Sequence, residues 1–185
     1  GFDLAFGPEA NAPAVHIATR YNGLYMVYNV AAAFFAAHEL GVNTALLQPT
    51  LNAYVPAGGR MGRWDIAGRT VEANLAKNPV GFDRQIQSIK TAGGRLCAFF
   101  LNDNDADGHD VSWIYDVDFE RIADTTGLVA FAGGTRAHDM QVRLKYAGID
   151  ATIISSVEQA IGAVADEAAG DTFYGVANYT AFPLL

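Results

Sequence analysis

The length, composition and charge of the chain exclude several classes of protein. Its 185 residues are 51% hydrophobic, which favours one folded domain, or one domain and part of another, over a disordered segment. The formal net charge of −8 argues against a nucleic-acid backbone as the main partner, and a single cysteine, Cys97, excludes an internal disulfide framework or a cysteine-based zinc site.

The N-terminal segment has neither the basic start nor the apolar run of a secretory signal peptide. No apolar stretch of the sequence is long enough to span a bilayer, so no membrane span is expected. The chain starts without Met and leads directly into a segment rich in Pro, Ala and Gly. We therefore expect it to be a fragment of a longer protein.

The first third of the chain predicts one strand and one helix. Residues 1–13 are expected to form a linker or a frayed edge, and residues 14–19 a short strand. A buried, mostly apolar helix is expected to start at Asn29, a good N-cap residue, and to stop at Gly41. Residues 50–61 contain the Pro and Gly that are typical of a loop, and we place a domain boundary there.

From this boundary onward, predicted strands and helices alternate. Asn78 followed by Pro79 is a strong helix start, and Ser156 with Gln159 forms a capping-box pattern. Alternation with short connections predicts a Rossmann-like, doubly wound α/β fold with a mainly parallel sheet, whose sites lie at the carboxyl ends of the strands. Strands are expected over residues 70–76, 96–101, 128–132, 151–154 and 173–177.

An acidic segment that follows one of these strands is the strongest candidate for a site. Residues 101–120 hold seven carboxylates and no Lys or Arg. Carboxylates this dense repel one another unless a cation, a hydrogen-bond donor or a partner protein compensates them. The same segment carries Trp113, Ile114 and Tyr115, and we expect Trp113 to anchor the loop because side chains this large and apolar tend to be buried.

The acidic segment allows more than one chemistry on its residues alone. Residues 103–108 match the first six positions of an EF-hand calcium loop, but Ile114 stands where a bidentate Glu is required, so only a looser divalent-cation loop survives. A lone Asp of the segment is also suited to orient a catalytic His, and spacing does not choose between Asp107 and Asp110. Solvated loop carboxylates are the third alternative.

Two other features have both a structural and a chemical interpretation. Cys97 lies in an apolar run and is expected in the core, not as a nucleophile, and no Gly-x-Ser-x-Gly elbow is present. The GGTR sequence of residues 133–136 precedes a predicted helix. It suits either an anion site, built from backbone N–H groups, the helix dipole and Arg136, or a tight structural turn.

Eight short motifs stand in a characteristic order along the chain. They are YNVAA at residues 28–32, GR at 59–60, LAKNPVG at 75–81, LNDN at 101–104, DGHDVSWIYD at 107–116, GTR at 134–136, RLK at 143–145 and NYT at 178–180. In this order they resemble the C-terminal half of the MurT family, the Mur-ligase-like subunits of lipid II isoglutaminyl synthase. The resemblance covers nearly the whole chain from about residue 20 onward, and the LAKNP and LNDN…DG-x-D-x-SWI-x-D motifs are its most specific parts.

The resemblance implies part of an ATP- and Mg²⁺-dependent amide ligase of bacterial peptidoglycan biosynthesis. Such a subunit binds lipid II and amidates the α-carboxylate of the stem-peptide D-glutamate to D-isoglutamine, on the cytoplasmic side of the membrane. The ammonia is supplied by a GatD-type glutaminase in a heterodimer. The glutaminase carries the Cys and His of a catalytic triad, and the third member, the last Asp of DG-x-D, maps onto Asp110. The alternative function is a non-catalytic α/β binding domain whose Asp-rich loop binds a divalent cation.

The resemblance also implies roles for further residues. By analogy with Mur ligases, Asn29 lies on the segment that faces the adenine of ATP, and Arg60 matches the hinge arginine. Lys77 and Asn78 match the C-terminal-domain segment that closes on ATP and substrate. No metal ligand is expected within the chain. Residues that either contact substrate or shape the loop are Asn102, Asp103, Asn104, Thr135 and Arg136.

The sequence also departs from the family pattern. His109 stands where the DG-x-D motif more often has Arg, and Met26 where an Asn is more usual. The family's P-loop, acidic magnesium residues and Cys-rich zinc ribbon lie N-terminal to the matched region, so we expect this fragment alone to be inactive. Residues 1–58 are expected to be the C-terminal part of a Mur ligase central domain, and residues 59–185 the C-terminal domain.

Overall fold

The computed structural model describes residues 1–5, 14–18, 24–54, 62–164 and 170–185, which fall into two units, Gly1–Pro56 and Ala57–Leu185. The predicted boundary between residues 58 and 59, and Arg60 beside it, lie outside the described residues. The predicted boundary therefore stays a prediction. None of the described helices is both long and apolar enough to span a bilayer.

The first unit packs two helices with a two-stranded antiparallel sheet. Its elements are β1 (Phe2–Ala5), β2 (Ala14–Ile17), α1 (Leu24–Glu39) and α2 (Thr44–Ala53). The core contains Leu4 and Ile17 from the strands and Val30 and Phe34 from α1. Val30 and Phe34 are one helical turn apart, so they share the face that packs on the sheet.

Several predictions for this unit are wrong. The helix does not start at Asn29 but at Leu24, because no Gly or Pro interrupts residues 24–40, and Asn29 lies exposed inside it. Most of the described α1 side chains are not buried, since only the Val30–Phe34 face is covered. β1 lies within the predicted linker, and α2 extends into the predicted loop. The Asn43 side chain caps α2 by accepting a hydrogen bond from the backbone N–H of Ala45 at 2.9 Å.

The second unit is a six-stranded sheet with the order β3-β4-β8-β5-β6-β7. The strand β3 is antiparallel to β4 and was not predicted, whereas the other neighbouring strands pair in parallel. The predicted α/β fold with a mainly parallel sheet is confirmed. Its elements are β3 (Gly62–Ile66), β4 (Arg69–Leu75), α3 (Pro79–Thr91), β5 (Leu96–Phe100), a 3₁₀ helix (Ser112–Asp116), α4 (Glu120–Ala123), β6 (Val129–Gly133), α5 (Ala137–Tyr146), β7 (Ala151–Ile153), α6 (Val157–Ala163), β8 (Phe173–Ala177) and a second 3₁₀ helix (Phe182–Leu184).

The central strand β5 is buried on both faces. Cys97 and Phe99 point into a core that includes residues of α3, α4 and α5, and Leu96, Ala98 and Phe100 point into a second core with residues of α6. Because both faces of β5 are buried, its sequence is a continuous apolar run, and this run predicts the strand correctly. Burial raises the pKa of the Cys97 thiol to about 12, in keeping with a core residue.

Candidate functional site

Three loops meet at the carboxyl edge of the sheet. Residues 101–111 follow β5, and β5 lies between β8 and β6 in the sheet. The loops after these neighbours, residues 178–180 and 134–136, therefore flank the acidic segment. This is the edge at which parallel α/β sheets carry their sites.

Asn102 joins the three loops through its backbone and its side chain. Asn178 Oδ1 accepts a hydrogen bond from the Asn102 backbone N–H at 2.9 Å, and Asn178 Nδ2 donates to the Asn102 carbonyl at 2.7 Å. Asn102 Oδ1 accepts from the Thr135 N–H at 2.8 Å, and its Nδ2 donates to Thr180 Oγ1 at 3.0 Å. Both asparagines are buried. The root of the acidic loop is thus fixed by buried hydrogen bonds.

Asp103 is neutralised by groups from the loop after β6. Its carboxylate accepts from Thr135 Oγ1 at 2.8 Å and from Arg136 Nη1 at 3.0 Å. These two hydrogen bonds, that of Thr135 first, hold the pKa of Asp103 below its usual value. Arg136 also donates to Asp139 at 2.7 Å, so its guanidinium faces two carboxylates.

The GGTR segment forms the tight structural turn that was one of its two interpretations. Its donors are occupied within the chain, because the backbone N–H of Thr135 binds Asn102 and that of Arg136 binds the Leu101 carbonyl at 2.9 Å. Gly134 has φ +91°, and a Cβ there would lie 2.3 Å from the Leu101 oxygen. Only glycine fits this position. The structure gives no support to an anion site here, since the cation and both amides already have partners.

Asp107 also serves the loop itself. Its carboxylate accepts from the Thr180 backbone N–H at 2.9 Å and from the Thr180 hydroxyl. Asn104 Nδ2 donates to the same hydroxyl at 2.7 Å. The loops after β5 and β8 are thereby closed on each other at a second point. Spacing alone did not choose between Asp107 and Asp110. In the structure, the Asp107 carboxylate is occupied by hydrogen bonds from Thr180.

Asp110 is exposed to solvent and differs from the exposed Asp105 in having no histidine near its carboxylate. Its Oδ1 accepts a hydrogen bond from the Ser112 backbone N–H at 2.8 Å, and among the described residues no Lys, Arg or His forms an ion pair with it. The Ser112 hydroxyl, followed by the Ser112 N–H, holds the pKa of Asp110 below its usual value. Asp110 is therefore a preformed carboxylate anion with capacity to accept a further hydrogen bond.

His109, the neighbour of Asp110, turns toward the other end of the loop. Its Nδ1 lies 2.8 Å from the Asp103 carbonyl oxygen, and its Nε2 lies 3.1 Å from Asp105 Oδ1. The ring nitrogens of His109 therefore face Asp103 and Asp105 and not the Asp110 carboxylate. An open depression surrounds Asp110, lined by His109, Asp110, Val111, Ser112, Ile114, Tyr115, Arg136 and Asp139.

The segment after Asp110 is anchored by side chains of α3 and α5. The ring of Trp113 packs against Phe82 of α3 with their centroids 5.3 Å apart, as expected for an anchoring residue. Arg143 of α5 is only 5% exposed and donates to the carbonyls of Ile114 at 3.2 Å and Val117 at 2.5 Å. Its guanidinium also binds Glu120 at 2.9 Å and lies over the Phe119 ring. The 3₁₀ helix is therefore fastened to α5.

The acidic segment is compensated by cations from other parts of the chain. Arg136 pairs with Asp103, Arg143 with Glu120, and Arg121 with Asp118. Among the described residues, no group of three or more His, Cys, Asp or Glu side chains is arranged to hold a metal ion. The part of the chain that the structure covers therefore does not assemble the ligand set that the divalent-cation alternative requires.

The other predicted site residues are spread over both units. Lys77 is exposed directly after β4, and Asn78 caps α3, its Oδ1 accepting from the Gly81 N–H at 2.8 Å. Asn29 is exposed on α1 of the first unit, and Arg60 lies outside the described residues. A contact of these four residues with ATP stays a prediction. So does a contact with substrate for Asn102, Asp103, Asn104, Thr135 and Arg136, whose intramolecular bonds shape the loop.

Sequence reasoning did not single out Asn178, Thr180 or Arg143 as site residues. Asn178 and Thr180 belong to the NYT motif, but their role depends on β8 lying beside β5, and strand order cannot be read from the chain. Arg143 left a clearer signal, since it stands next to the buried Leu144 on α5. A buried Arg needs hydrogen-bond acceptors, and the acceptors of Arg143 lie on the acidic segment.

The loops at the carboxyl edge lie in the part of the chain that matches a known protein family. The family model described as MurT ligase C-terminal matches residues 75–182, which include all three loops of the carboxyl edge. The chain belongs to the MurT family. It is 36% identical over 133 residues to the lipid II isoglutaminyl synthase (glutamine-hydrolyzing) subunit MurT of Staphylococcus aureus, an alignment that covers 71% of this chain and 30% of that protein.

A second MurT relative covers more of the chain. The subunit of the same name from Streptococcus pneumoniae is 35% identical over 163 residues, which are 86% of this chain and 36% of the relative. The chain thus spans about a third of the length of these MurT proteins. The family assignment confirms the resemblance that the motifs indicated.

Solved structures show the fold of this MurT chain. MurF from Acinetobacter baumannii has a TM-score of 0.65 at 16% identity, covering 90% of this chain and 37% of MurF. The MurC ligase from Thermotoga maritima has a TM-score of 0.61 at 11% identity, covering 91% and 37%. At such identities the likeness establishes the Mur ligase fold and no more.

Proposed function

We propose that the chain is the C-terminal part of the ligase subunit that amidates the D-glutamate α-carboxylate of lipid II to D-isoglutamine, with ammonia from a GatD-type glutaminase. Support comes from the MurT relatives, which are named as subunits of a glutamine-hydrolyzing lipid II isoglutaminyl synthase. The subunit would act in bacterial peptidoglycan biosynthesis, on the cytoplasmic side of the membrane. Within this complex, Asp110 completes the catalytic triad of the glutaminase.

The observation that carries the role of Asp110 is its exposed carboxylate, bound by Ser112 and unpaired with any described cation. A triad Asp accepts the Nδ1–H of a catalytic His, fixes the tautomer of the imidazole and stabilises the imidazolium. The other imidazole nitrogen then takes the proton of the glutaminase Cys, and the thiolate attacks the glutamine amide carbon. The imidazolium returns this proton to the amide nitrogen, the C–N bond breaks, ammonia leaves, and a glutamyl thioester remains for water to hydrolyse. Asp110 keeps its negative charge throughout.

The surroundings of Asp110 suit this task because they hold the carboxylate in place. Asn102 and Asn178 fix the start of the loop, and Arg143 and Trp113 fix the segment after it. An Asp in a mobile loop would have to be ordered each time it met the histidine. A preorganised carboxylate avoids this cost at the reaction centre.

The proposal also assigns residues of the chain to ATP. Lys77 is an exposed cation at the carboxyl edge, and Asn78 retains its Nδ2 as a donor because its cap uses Oδ1. These groups fit a phosphate or substrate oxygen, Asn29 is assigned to the adenine, and Arg60 to the hinge. When bound with Mg²⁺, ATP would supply the phosphoryl group that activates the carboxylate.

The test compares two nitrogen sources in the full-length ligase–glutaminase complex. Asp110→Asn should abolish amidation of lipid II with glutamine and leave amidation with free ammonia near the wild-type rate. Asp105→Asn is the matched control, because Asp105 is an exposed carboxylate of the same loop. Equal loss of both activities in Asp110→Asn would refute the triad role.

A further inference from the structure

Asp107 is the partly buried member of a stretch that is otherwise exposed. Residues 104–110 are exposed to solvent except for Asp107, whose carboxylate contacts the loop after β8. Its Oδ1 accepts from the Thr180 backbone N–H at 2.9 Å, and its Oδ2 accepts from the Thr180 hydroxyl. We call this pair of hydrogen bonds the Asp107–Thr180 clamp. An amide at this position has only one oxygen and therefore loses one of the two bonds.

The Thr180 hydroxyl binds three side chains of the loop after β5. It donates its proton to Asp107, and it accepts from Asn102 Nδ2 at 3.0 Å and from Asn104 Nδ2 at 2.7 Å. A hydroxyl has one proton and two lone pairs, so these bonds use its full capacity. Because β8 lies between β4 and β5 in the sheet, the clamp ties the acidic loop to a central strand. Removal of this hydroxyl alone would release three side chains at once.

The clamp lies close to Asp110 along the chain. Asp107 and Asp110 are three residues apart, so their Cα atoms are separated by at most about 11 Å. Between them, Gly108 has φ +85°, a left-handed conformation that turns the chain. The N–H groups of Asp107 and Gly108 both donate to the Asn104 carbonyl, at 2.8 and 3.2 Å. A shift of Asp107 is therefore passed to Asp110 through a short turn.

Hydrogen bonds on both sides hold Asp110 in place. Its side chain is exposed, so packing in a core does not fix it. On its C-terminal side, the Ser112 N–H binds the carboxylate directly. On its N-terminal side, the clamp holds the turn from which the chain leads to Asp110. The loss of either hold leaves the carboxylate with more than one orientation.

We propose that Asp107 and Thr180 are positioning residues for the glutaminase reaction, acting through Asp110. This rests on the proposed function, in which Asp110 accepts the Nδ1–H of the glutaminase histidine. Misplacement of a catalytic group by about 1 Å can cost about 100-fold in rate. The two Asp residues of the DG-x-D motif thereby have different tasks. The last contacts the histidine, and the first holds the turn and contacts no reacting atom.

The experiment measures glutamate release by the full-length ligase–glutaminase complex at saturating ligase subunit. Thr180→Val keeps the shape of the side chain and removes the hydroxyl. It should lower kcat about 10- to 100-fold. The KM for glutamine should be unchanged, because Asp110 acts on the histidine and does not bind glutamine. Thr180→Ser retains the hydroxyl and should restore most of the rate. Thr152→Val, the same change at an exposed position of β7, is the matched control and should have the wild-type rate.

Asp107→Asn tests the other half of the clamp. It should lower kcat with KM unchanged, as Thr180→Val does. The double variant should be no slower than the slower single variant, because both changes break the same unit and their effects are not additive. Amidation of lipid II with free ammonia should stay near the wild-type rate in each variant, which separates the clamp from a general loss of folded protein.

The outcomes separate the clamp from the triad. Wild-type kcat in Thr180→Val beside an inactive Asp110→Asn would overturn the positioning role and leave the proposed function standing. Equal impairment of Thr180→Ser and Thr180→Val would also overturn it, since the hydroxyl would then not be the group that matters, as would loss of amidation with ammonia. A fully active Asp110→Asn complex would refute the triad role itself, and the positioning role with it.

Discussion

The backbone N–H of Ser112 donates a 2.8 Å hydrogen bond to Oδ1 of Asp110, and the Ser112 hydroxyl binds the same carboxylate. Both bonds favour the ionised form, so the pKa of Asp110 lies below its usual value. A catalytic Asp that must stay anionic beside an imidazolium benefits from this arrangement. The turn between residues 110 and 112 thus links local backbone geometry to the proposed triad.

Ser112→Ala should raise the pKa of Asp110 toward its ordinary value. The variant removes the hydrogen bond of the Ser112 hydroxyl, which lowers this pKa more than the Ser112 N–H does. Titration of the carboxyl carbon of Asp110 by NMR would measure the change. Thr135→Val provides the comparison: it should raise the pKa of Asp103, whose first hydrogen-bond donor is Thr135, and leave Asp110 unchanged. An unaltered pKa of Asp110 in Ser112→Ala would show that the hydroxyl does not stabilise the carboxylate.

Arg143→Ala should destabilise the protein strongly. The variant leaves the buried acceptors of Ile114 and Val117 without a donor, and each unsatisfied group costs about 1–3 kcal/mol. Glu120→Gln is the control, because Glu120 is half exposed and such an ion pair contributes only about 0–1 kcal/mol. Denaturant unfolding of the two variants would compare the losses. A loss in Arg143→Ala no larger than that in Glu120→Gln would contradict the anchoring role.

Asn178→Ala should loosen the start of the acidic loop. Its side chain satisfies both the N–H and the carbonyl of Asn102, and a small apolar residue leaves these buried groups unpaired. Hydrogen exchange measured by mass spectrometry should show faster exchange in peptides that cover residues 101–107. Tyr179→Ala, at the exposed neighbouring position, should leave exchange unchanged. Equal protection in the two variants would show that the loop is held by other contacts.

Acid should open the contact between the loops after β5 and β6. Arg136 binds Asp103 and Asp139, and the pKa of each carboxyl is lowered in the folded protein. Their stabilisation is complete above the unfolded pKa of about 3.9 and is lost as pH falls through the lowered folded values. Protection of residues 101–107 should therefore decrease below about pH 4. Asp103→Asn should show the weaker protection already at neutral pH, and wild-type protection in that variant would argue against the ion pair.

The sequence predicted the second unit better than the first. The strand β5 is an uninterrupted apolar run, and α3 starts with Asn78 and Pro79, so both follow from local pattern. By contrast, β3 and β1 are short and lack an apolar run. They become strands through the hydrogen bonds of β4 and β2, which are contacts that a local pattern does not contain.

The candidate site shows the same division between local and non-local information. The dense carboxylates of residues 101–120 predicted a functional site, and the resemblance to the family motif indicated Asp110 within it. The separate roles of Asp107 and Asp110 became visible only in three dimensions, because Thr180 belongs to the loop after β8, more than seventy residues further along the chain. The compensating Arg136 and Arg143 are likewise brought in by the fold.

The central claim is that Asp110 serves the histidine of another subunit, and glutamine hydrolysis tests it most directly. The glutaminase, reconstituted with the full-length ligase subunit and without lipid II, would be assayed for glutamate release. We predict that Asp110→Asn lowers the rate by about 10⁴-fold, as expected for loss of a triad Asp, with subunit affinity unchanged. Asp105→Asn should retain the wild-type rate. Glutamate release by the Asp110→Asn complex at the rate of wild type would contradict the account.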